Sequence, residues 1–468
     1  MFARSQVGFI DSRVQITIAL AALVTPLDST MLAAALPTIR THFDVGVGAL
    51  TLLVSIYLVS VAVMQPVAGQ LGDVFGTRRV MIVGLVAIII CSALAAMAWS
   101  FPVLVVARAL MGVASALAMP TAIAYLRKHF AETDRLGSIL GINGAIISAT
   151  AAIGPVVGGL LMFAGWEYVF IVNIPISLIA ILLLFQLKPD GLTGQKRLAL
   201  SLKSFLALLV LFVSLVTIGN AVSDGNIPLV LLALLVLAIA GLAYWKIFQK
   251  TGEGVVNLAL FSKRNYLFSS IGQGLTNFIL YSLLFAVPLF LIDIRDINHQ
   301  VVSLLLFTIF MGSLITTPLG GILADNLGWR YPIILGGLIL LVGSVLYSII
   351  FEASLIFLLV PFSMIGIGIG LTGAARSASA LEAWPATVAG SAAGTYSLSR
   401  YIGSILSTAI MAAILGVSPT ANSFLIFFSV LAVVAMFNFL ASFAIQNRSI
   451  SSVNSVDNLT TPKRSKRS

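Results

Sequence analysis

Three ionisable residues stand in stretches otherwise too apolar to hold them: Asp28, Arg108 and Arg400. At the centre of a membrane helix each costs about 2.5–3.5 kcal/mol on insertion scales, so each needs a reason to be there. A carboxyl group in a poorly solvated cavity favours its neutral form, and a neighbouring arginine favours the charged one. Such an acid can bind and release a proton, and Asp28, in Leu27-Asp28-Ser29-Thr30, is the candidate for that role. The competing explanation is an acid paired permanently with an arginine to lock helices together. Packing alone does not favour an arginine at the depth of Arg108, and Arg400 is open to either helix locking or substrate contact.

Such residues act only if the elements around them are membrane helices, and the composition requires this. Hydrophobic residues make up 59% of the 468 and charged residues 9%, against about 25% charged in ordinary globular chains. Windows of about 20 apolar residues, the length that crosses the hydrocarbon, occur fourteen times. Six fit residues 14–36, 48–70, 80–98, 102–124, 138–162 and 168–187, and the first is expected to be a retained span rather than a cleaved leader. Two more, at 204–222 and 227–246, lie between basic segments containing Lys188, Lys196, Arg197 and Lys203, and then Lys250, Lys263 and Arg264. The last six fit 266–292, 301–323, 331–350, 355–375, 393–415 and 423–445. The expected organisation is a six-helix half over residues 1–187, a linker with two additional helices over 188–264, a second six-helix half over 265–447, and a disordered basic tail over 448–468.

An internal repeat supports the two halves. Pro66, Gly69, Leu71, Asp73, Gly76 and Arg78 recur at identical spacing as Pro318, Gly321, Leu323, Asp325, Gly328 and Arg330. Related halves enclosing a central site are the architecture of secondary transporters. The Lys and Arg bias places both copies of the repeat, Arg376 and both termini on the cytoplasmic face, with Arg40 and Arg295 opposite. Glycines permit a tight turn, and an aspartate at such a turn can bind helix N-terminal amides or a neighbouring arginine. The plain alternative is a solvated turn carrying positive-inside charge.

These motifs together resemble the major facilitator superfamily, in its fourteen-helix drug:proton antiporter branch, over nearly the whole chain. Gly69-x-Leu71-x-Asp73-x-x-Gly76-x-Arg78 is similar to the family's loop motif between the second and third spans, although Val74 and Thr77 stand where basic residues are usual. The resemblance implies that Gly69, Asp73, Gly76, Arg78, Asp325 and Arg330 form a conformational latch that holds the halves together when the cavity faces outward. The segment around Asp28, continuing to Ala35-Leu36-Pro37, resembles the branch's first-span motif with Ala33 in place of asparagine. Arg108-Ala-Leu-Met-Gly112 resembles the fourth-span motif, with Met111 where glutamine is common. It implies an arginine that influences proton movement by pairing with Asp28 in one conformation and releasing it in another.

Gly154-Pro155-x-x-Gly158-Gly159 resembles the fifth-span antiporter motif, with Thr150 replacing a glycine, and its expected role is a bendable, closely packed helix. A generic glycine-rich packing face is the alternative. Arg400, in Gly394-x-Tyr396-x-x-x-Arg400-x-x-Gly403, resembles an arginine segment of the second half. Trp166, Phe170, Asn173 and Pro175 match a segment of the branch, with Glu167 in place of arginine, and interfacial anchoring is the expected role there. Polar and aromatic positions on neighbouring spans, namely Tyr57, Gln65, Asn143, Gln273, Asn277, Phe278 and Tyr281, are possible cavity residues, with interhelical bonding an equal alternative.

Function follows by combining these readings. The expectation is a proton-coupled secondary transporter, not an enzyme, that exports amphipathic, cationic or neutral toxic compounds by alternating access across the cell membrane. No Gly-x-x-x-x-Gly-Lys-Ser/Thr phosphate loop occurs, so an ion gradient rather than ATP is the expected energy source, with no cofactor or metal. His42, His129 and His299 are placed in loops, and Cys91, alone of its type, is placed in the core. Expected partners are a small-molecule substrate and membrane lipid, without nucleic acid, and the functional unit is a monomer. The alternatives are a dedicated transporter of one metabolite on the same fold, or a membrane enzyme or non-transporting sensor.

Overall fold

With no water in the hydrocarbon to receive them, backbone polar groups must bond within the segment that carries them, so apolar runs of this length become helices. A computed structural model describes residues 2–45, 47–130, 136–188, 202–223, 225–251, 254–297, 299–415 and 420–447. The helices are α1 (Phe2–Phe43), α2 (Val47–Phe75), α3 (Thr77–Ala96), α4 (Phe101–His129), α5 (Leu136–Leu161), α6 (Tyr168–Ile171) and α7 (Asn173–Phe185). They are followed by α8 (Leu202–Ser223), α9 (Ile227–Thr251), α10 (Arg264–Pro288), α11 (His299–Leu327), α12 (Arg330–Ile350), α13 (Leu355–Glu382), α14 (Ala389–Leu415) and α15 (Ala421–Phe443). Among the described residues these provide 14 candidate membrane spans, with α6 and α7 together forming the sixth. Pro175 explains that break, because it has no N–H to donate to the carbonyl of Ile171, and the chain restarts as α7 with Pro175 in its first turn.

Several helices continue past the apolar windows, so residues expected in loops lie in helices. Asp73 occupies the last turn of α2, Asp325 the last turn of α11, and Arg376 is inside α13. His42, His129 and His299 are likewise on helix ends, with the His129 ring stacked on Tyr125 at 5.9 Å. A hydropathy window ends where the hydrocarbon ends, but nothing stops a helix there. In α4 the extension carries Arg127 and Lys128, whose positive charge suits a helix C-terminus. The expected tail, the part of the linker over 189–201 and Arg135 lie outside the described residues.

The two six-helix halves meet along α2 against α14 and α5 against α11, with α4 and α13 adding to the joint. The inserted helices α8 and α9 pair with each other, and α8 also rests on α14 and α2 at the flank of that joint. Only 17% of the α9 window is buried, against 65% for α1, so the insertion lies mostly outside the two-half body. The side chain of Gln70 ties the insertion down by donating to the carbonyls of Gly254 and Val255, each at 2.9 Å.

Candidate functional site

Four helices bring the first-half charges together. Asp28 on α1 accepts from Arg108 Nη1 on α4 at 2.6 Å, and its other oxygen accepts from Asn173 Nδ2 at the start of α7 at 3.0 Å. Both oxygens act as acceptors, which is what an ionised carboxylate offers. Tyr57 on α2 closes the cluster, its ring centroid 4.2 Å from the Arg108 guanidinium carbon, within range of cation–π attraction. Asp28 and Arg108 are each 1% exposed, so the pair is shielded from solvent. Arg108 Nε and Asn173 Oδ1 are buried without a hydrogen-bond partner, so the cluster retains polar atoms that a rearrangement can satisfy.

Directly beside this pair, α5 packs on α1. A Cβ at Gly154 would collide with the Thr30 hydroxyl, two residues past Asp28, so glycine is needed for this approach. Gly158 is buried on the same helix, while Pro155 and Gly159 are described only as part of the continuous helix α5. Farther toward its start, α5 meets the other half: Gly141 faces Thr317 and Pro318, and Gly144 faces Thr317.

The repeat residues form two reciprocal joints at one end of the molecule. Asp73 accepts from the backbone N–H groups of Gly390 at 2.8 Å and Ser391 at 2.7 Å, and from Ser391 Oγ at 2.8 Å. These donors open α14 in the other half, where the helix dipole adds positive potential. Lys128 Nζ, 3.4 Å from the carboxylate, adds a full charge. Asp325 does the same in reverse, accepting from Gly137 N at 2.9 Å and from Ser138 N at 2.8 Å and Oγ at the start of α5. Backbone contact reinforces both joints, since a Cβ at Gly69 would strike the Gly390 carbonyl and one at Gly321 the Gly137 carbonyl.

The other members of the repeat have local roles. Gly76 at φ 90° forms the one-residue turn between α2 and α3, and Gly328 at φ 84° forms its counterpart before α12. Arg78 stays in its own half and caps α7, donating to the carbonyls of Leu184 at 2.8 Å and Phe185 at 3.0 Å. The backbone N–H of Arg330 donates to Asn447 Oδ1 at 3.0 Å.

Between the halves lies a cavity of about 130 Å³, lined from the first half by Asn143 and Ser148 and from the second by Gln273, Thr317, Tyr396 and Arg400. Small-molecule sites usually span about 300–1,000 Å³, so this one is contracted. Ser148 on α5 and Ser313 on α11 bridge it at 3.3 Å, and Tyr396 donates to Gln273 at 3.1 Å. The other expected cavity residues are elsewhere: Tyr57 covers Arg108, and Asn277 donates to the Gln273 carbonyl of its own helix at 3.0 Å. Tyr281 stands within electrostatic reach of Arg400. Tyr401, next in sequence to Arg400, packs against the apolar cluster that contains Tyr57.

Two sets of site residues were not anticipated. Asn173 was read as part of a span-end anchor, although its place two residues before Pro175 puts it at a helix start facing α1. The receiving ends of both joints form a second repeat, Gly137-Ser138-x-x-Gly141 recurring as Gly390-Ser391-x-x-Gly394, which spacing alone could have revealed.

Comparison with known proteins places this arrangement. Residues 18–408 match the family described as Major Facilitator Superfamily, and a further match covers 267–465. The chain is 30% identical over 410 residues to an uncharacterised MFS-type transporter, YwoD, of Bacillus subtilis, covering 86% of this chain and 90% of that one. It is 28% identical over 392 residues to the multidrug resistance protein Stp of Mycobacterium tuberculosis, covering 83% and 73%. Its fold is similar to that of the human organic anion transporter MFSD10, with TM-score 0.66 and 16% identity over 92% of this chain and 99% of that one.

Proposed function

The chain belongs to the Major Facilitator Superfamily and is a multi-pass membrane transporter, not an enzyme; from that premise we propose that it is a proton-coupled exporter of amphipathic toxic compounds, working by alternating access in the cell membrane with both termini cytoplasmic. The observation that carries this reading is the buried pair of Asp28 on α1 and Arg108 on α4, set in the first half. An acid at that depth is costly unless it is used, and one whose partner sits on another helix can be released by a shift of that helix. The multidrug resistance protein among the relatives supports export of toxic compounds as the direction of work.

The mechanism follows from the two ends of the molecule. With the repeat end cytoplasmic, as the basic residues of α4 favour, the Asp73 and Asp325 joints close the cytoplasmic side in this conformation. A proton arriving from outside neutralises Asp28, which removes the attraction of Arg108 and leaves the guanidinium to Tyr57. The helices carrying the pair are then free to shift, the joints part, and the cavity opens inward to release the proton and take up substrate. Each proton entering supplies about 2.3 kcal/mol per 100 mV of membrane potential.

The test is gradient-driven accumulation of amphipathic dyes in inside-out vesicles, comparing the native protein with Asp28→Asn at equal expression. Uptake that requires the proton gradient and disappears in the variant is the expected result. Accumulation by Asp28→Asn at the native, gradient-dependent rate rules Asp28 out as the coupling acid.

A further inference from the structure

The charges facing the inter-half cavity do not balance. Arg108 pairs with Asp28 and Lys128 with Asp73, so both of these first-half acids are already matched. Arg400, which lines the cavity, has no carboxylate within ion-pairing distance among the described residues. Its electrostatic neighbours are phenols: Tyr281, Tyr396 and Tyr401. Tyr396 also feels a second cation, Arg376. That guanidinium is 1% exposed and bonded to neutral groups only, namely the Gly272 carbonyl, Thr276 Oγ1, Asn438 Oδ1 and Ser442 Oγ at 2.6–3.3 Å.

Arg400 thus brings an uncompensated cation to the cavity wall, and no described lining residue is acidic. In a low-dielectric site such charge repels a cation and attracts an anion far more strongly than in water. A guanidinium is also planar and can grip a carboxylate or sulfonate through two parallel hydrogen bonds. Around it stand hydroxyl and amide groups on Tyr396, Gln273 and Asn143, while Met119, Ile123 and Ile147 line the same space with apolar surface.

We propose that Arg400 makes the inter-half cavity an anion-selective site, and that the exported compound is an amphipathic anion with a carboxylate, sulfonate or phenolate beside an apolar body. This rests on the export reading above, and it replaces the expectation from sequence of a cationic or neutral compound with an anionic one. Arg400 binds the anionic group directly, while Arg376, bonded to α10 and α15, does not line the cavity.

The experiment compares two dyes on one xanthene scaffold: fluorescein, which is anionic, and a cationic rhodamine ester. Binding to the purified full-length protein in detergent is measured by fluorescence anisotropy for the native protein, Arg400→Lys and Arg400→Gln, with each variant's melting temperature recorded. The native protein is expected to bind fluorescein at least tenfold tighter than the rhodamine ester. Arg400→Lys keeps the preference at lower affinity, and Arg400→Gln removes it. Tighter binding of the rhodamine ester, binding of neither dye, or an unchanged dye preference in Arg400→Gln would each overturn the proposal. If Arg400→Gln does not fold, the native preference and the lysine variant still decide. Binding needs no gradient, so an intact anion site without gradient-driven transport would sink the export reading alone.

Discussion

Replacing Asp73 by asparagine removes charge from a joint in which one carboxylate serves three donors across the two halves. Hydrogen bonds to a charged group contribute about 1.5–3 kcal/mol each. Asparagine keeps one acceptor oxygen for Gly390, but its NH₂ points at the N–H of Ser391, leaving that buried donor unmatched. Closure should weaken by about 2–4 kcal/mol, which at about 1.4 kcal/mol per tenfold raises the open fraction roughly thirty- to several-hundredfold. Asp325 makes the same three bonds but is only half-buried, so solvent screening should reduce the effect of Asp325→Asn to about 1–2 kcal/mol. The readout is the labelling rate of a cysteine at Ser377, which lines the cavity, in a Cys91→Ala background. A membrane-impermeant maleimide is applied to inside-out vesicles, where the proposed orientation turns the repeat end toward the reagent. Labelling should rise strongly with Asp73→Asn and modestly with Asp325→Asn. A change below twofold for Asp73→Asn, or a larger effect for Asp325→Asn, refutes the assignment of these aspartates as the closing joints.

The buried ion pair predicts an asymmetry in stability. Arg108→Gln leaves Asp28 without its cation and should cost about 3–5 kcal/mol, whereas adding Asp28→Asn should recover much of this; thermal unfolding in detergent checks it, and a double variant no more stable than the single one contradicts it. Gly76→Ala should destabilise by about 1–3 kcal/mol, because φ 90° with ψ 133° is a backbone conformation essentially restricted to glycine. In the same assay Gly241→Ala in α9, where an added Cβ meets nothing within 4 Å, should be neutral or stabilising.

The order of elements could be read from the sequence because a span must be both long and free of charge, and loops that carry Lys and Arg separate such runs clearly. Where helices end could not. Asp73, Asp325 and Arg376 were placed in loops because the apolar signal fades at the membrane boundary, while the hydrogen-bond ladder of α2, α11 and α13 continues beyond it. The residue types of the repeat left open an aspartate on helix N-terminal amides or on a neighbouring arginine, and both copies bind the amides. They did not predict which helix receives it, since the donors come from the opposite half and from distant sequence. Arg78 shows the same limit, because its acceptors are carbonyls at the end of α7 that only folding brings near. Tyr57 was assigned to the cavity by its polarity, yet its aromatic face is better used covering the buried guanidinium of Arg108.

The charge of the cargo determines what the membrane potential can do for this transporter. Exchanging one proton for a monocation moves no net charge, so only the pH difference drives export. Exchanging one proton for a monoanion moves two charges inward per cycle, which the potential favours by about 4.6 kcal/mol at 100 mV, twice the single-charge value. If Arg400 selects an anion, as proposed, it bears on energetics as well as recognition, because proton-coupled export would then draw on both parts of the gradient. On the proposed coupling, a proton on Asp28 frees the positive charge of Arg108, whose guanidinium carbon lies 4.2 Å from the centroid of the Tyr57 ring. The freed charge attracts an anion as the cavity opens inward. When the proton leaves and the pair re-forms, that attraction falls, and the anion is held less tightly as the cavity turns outward.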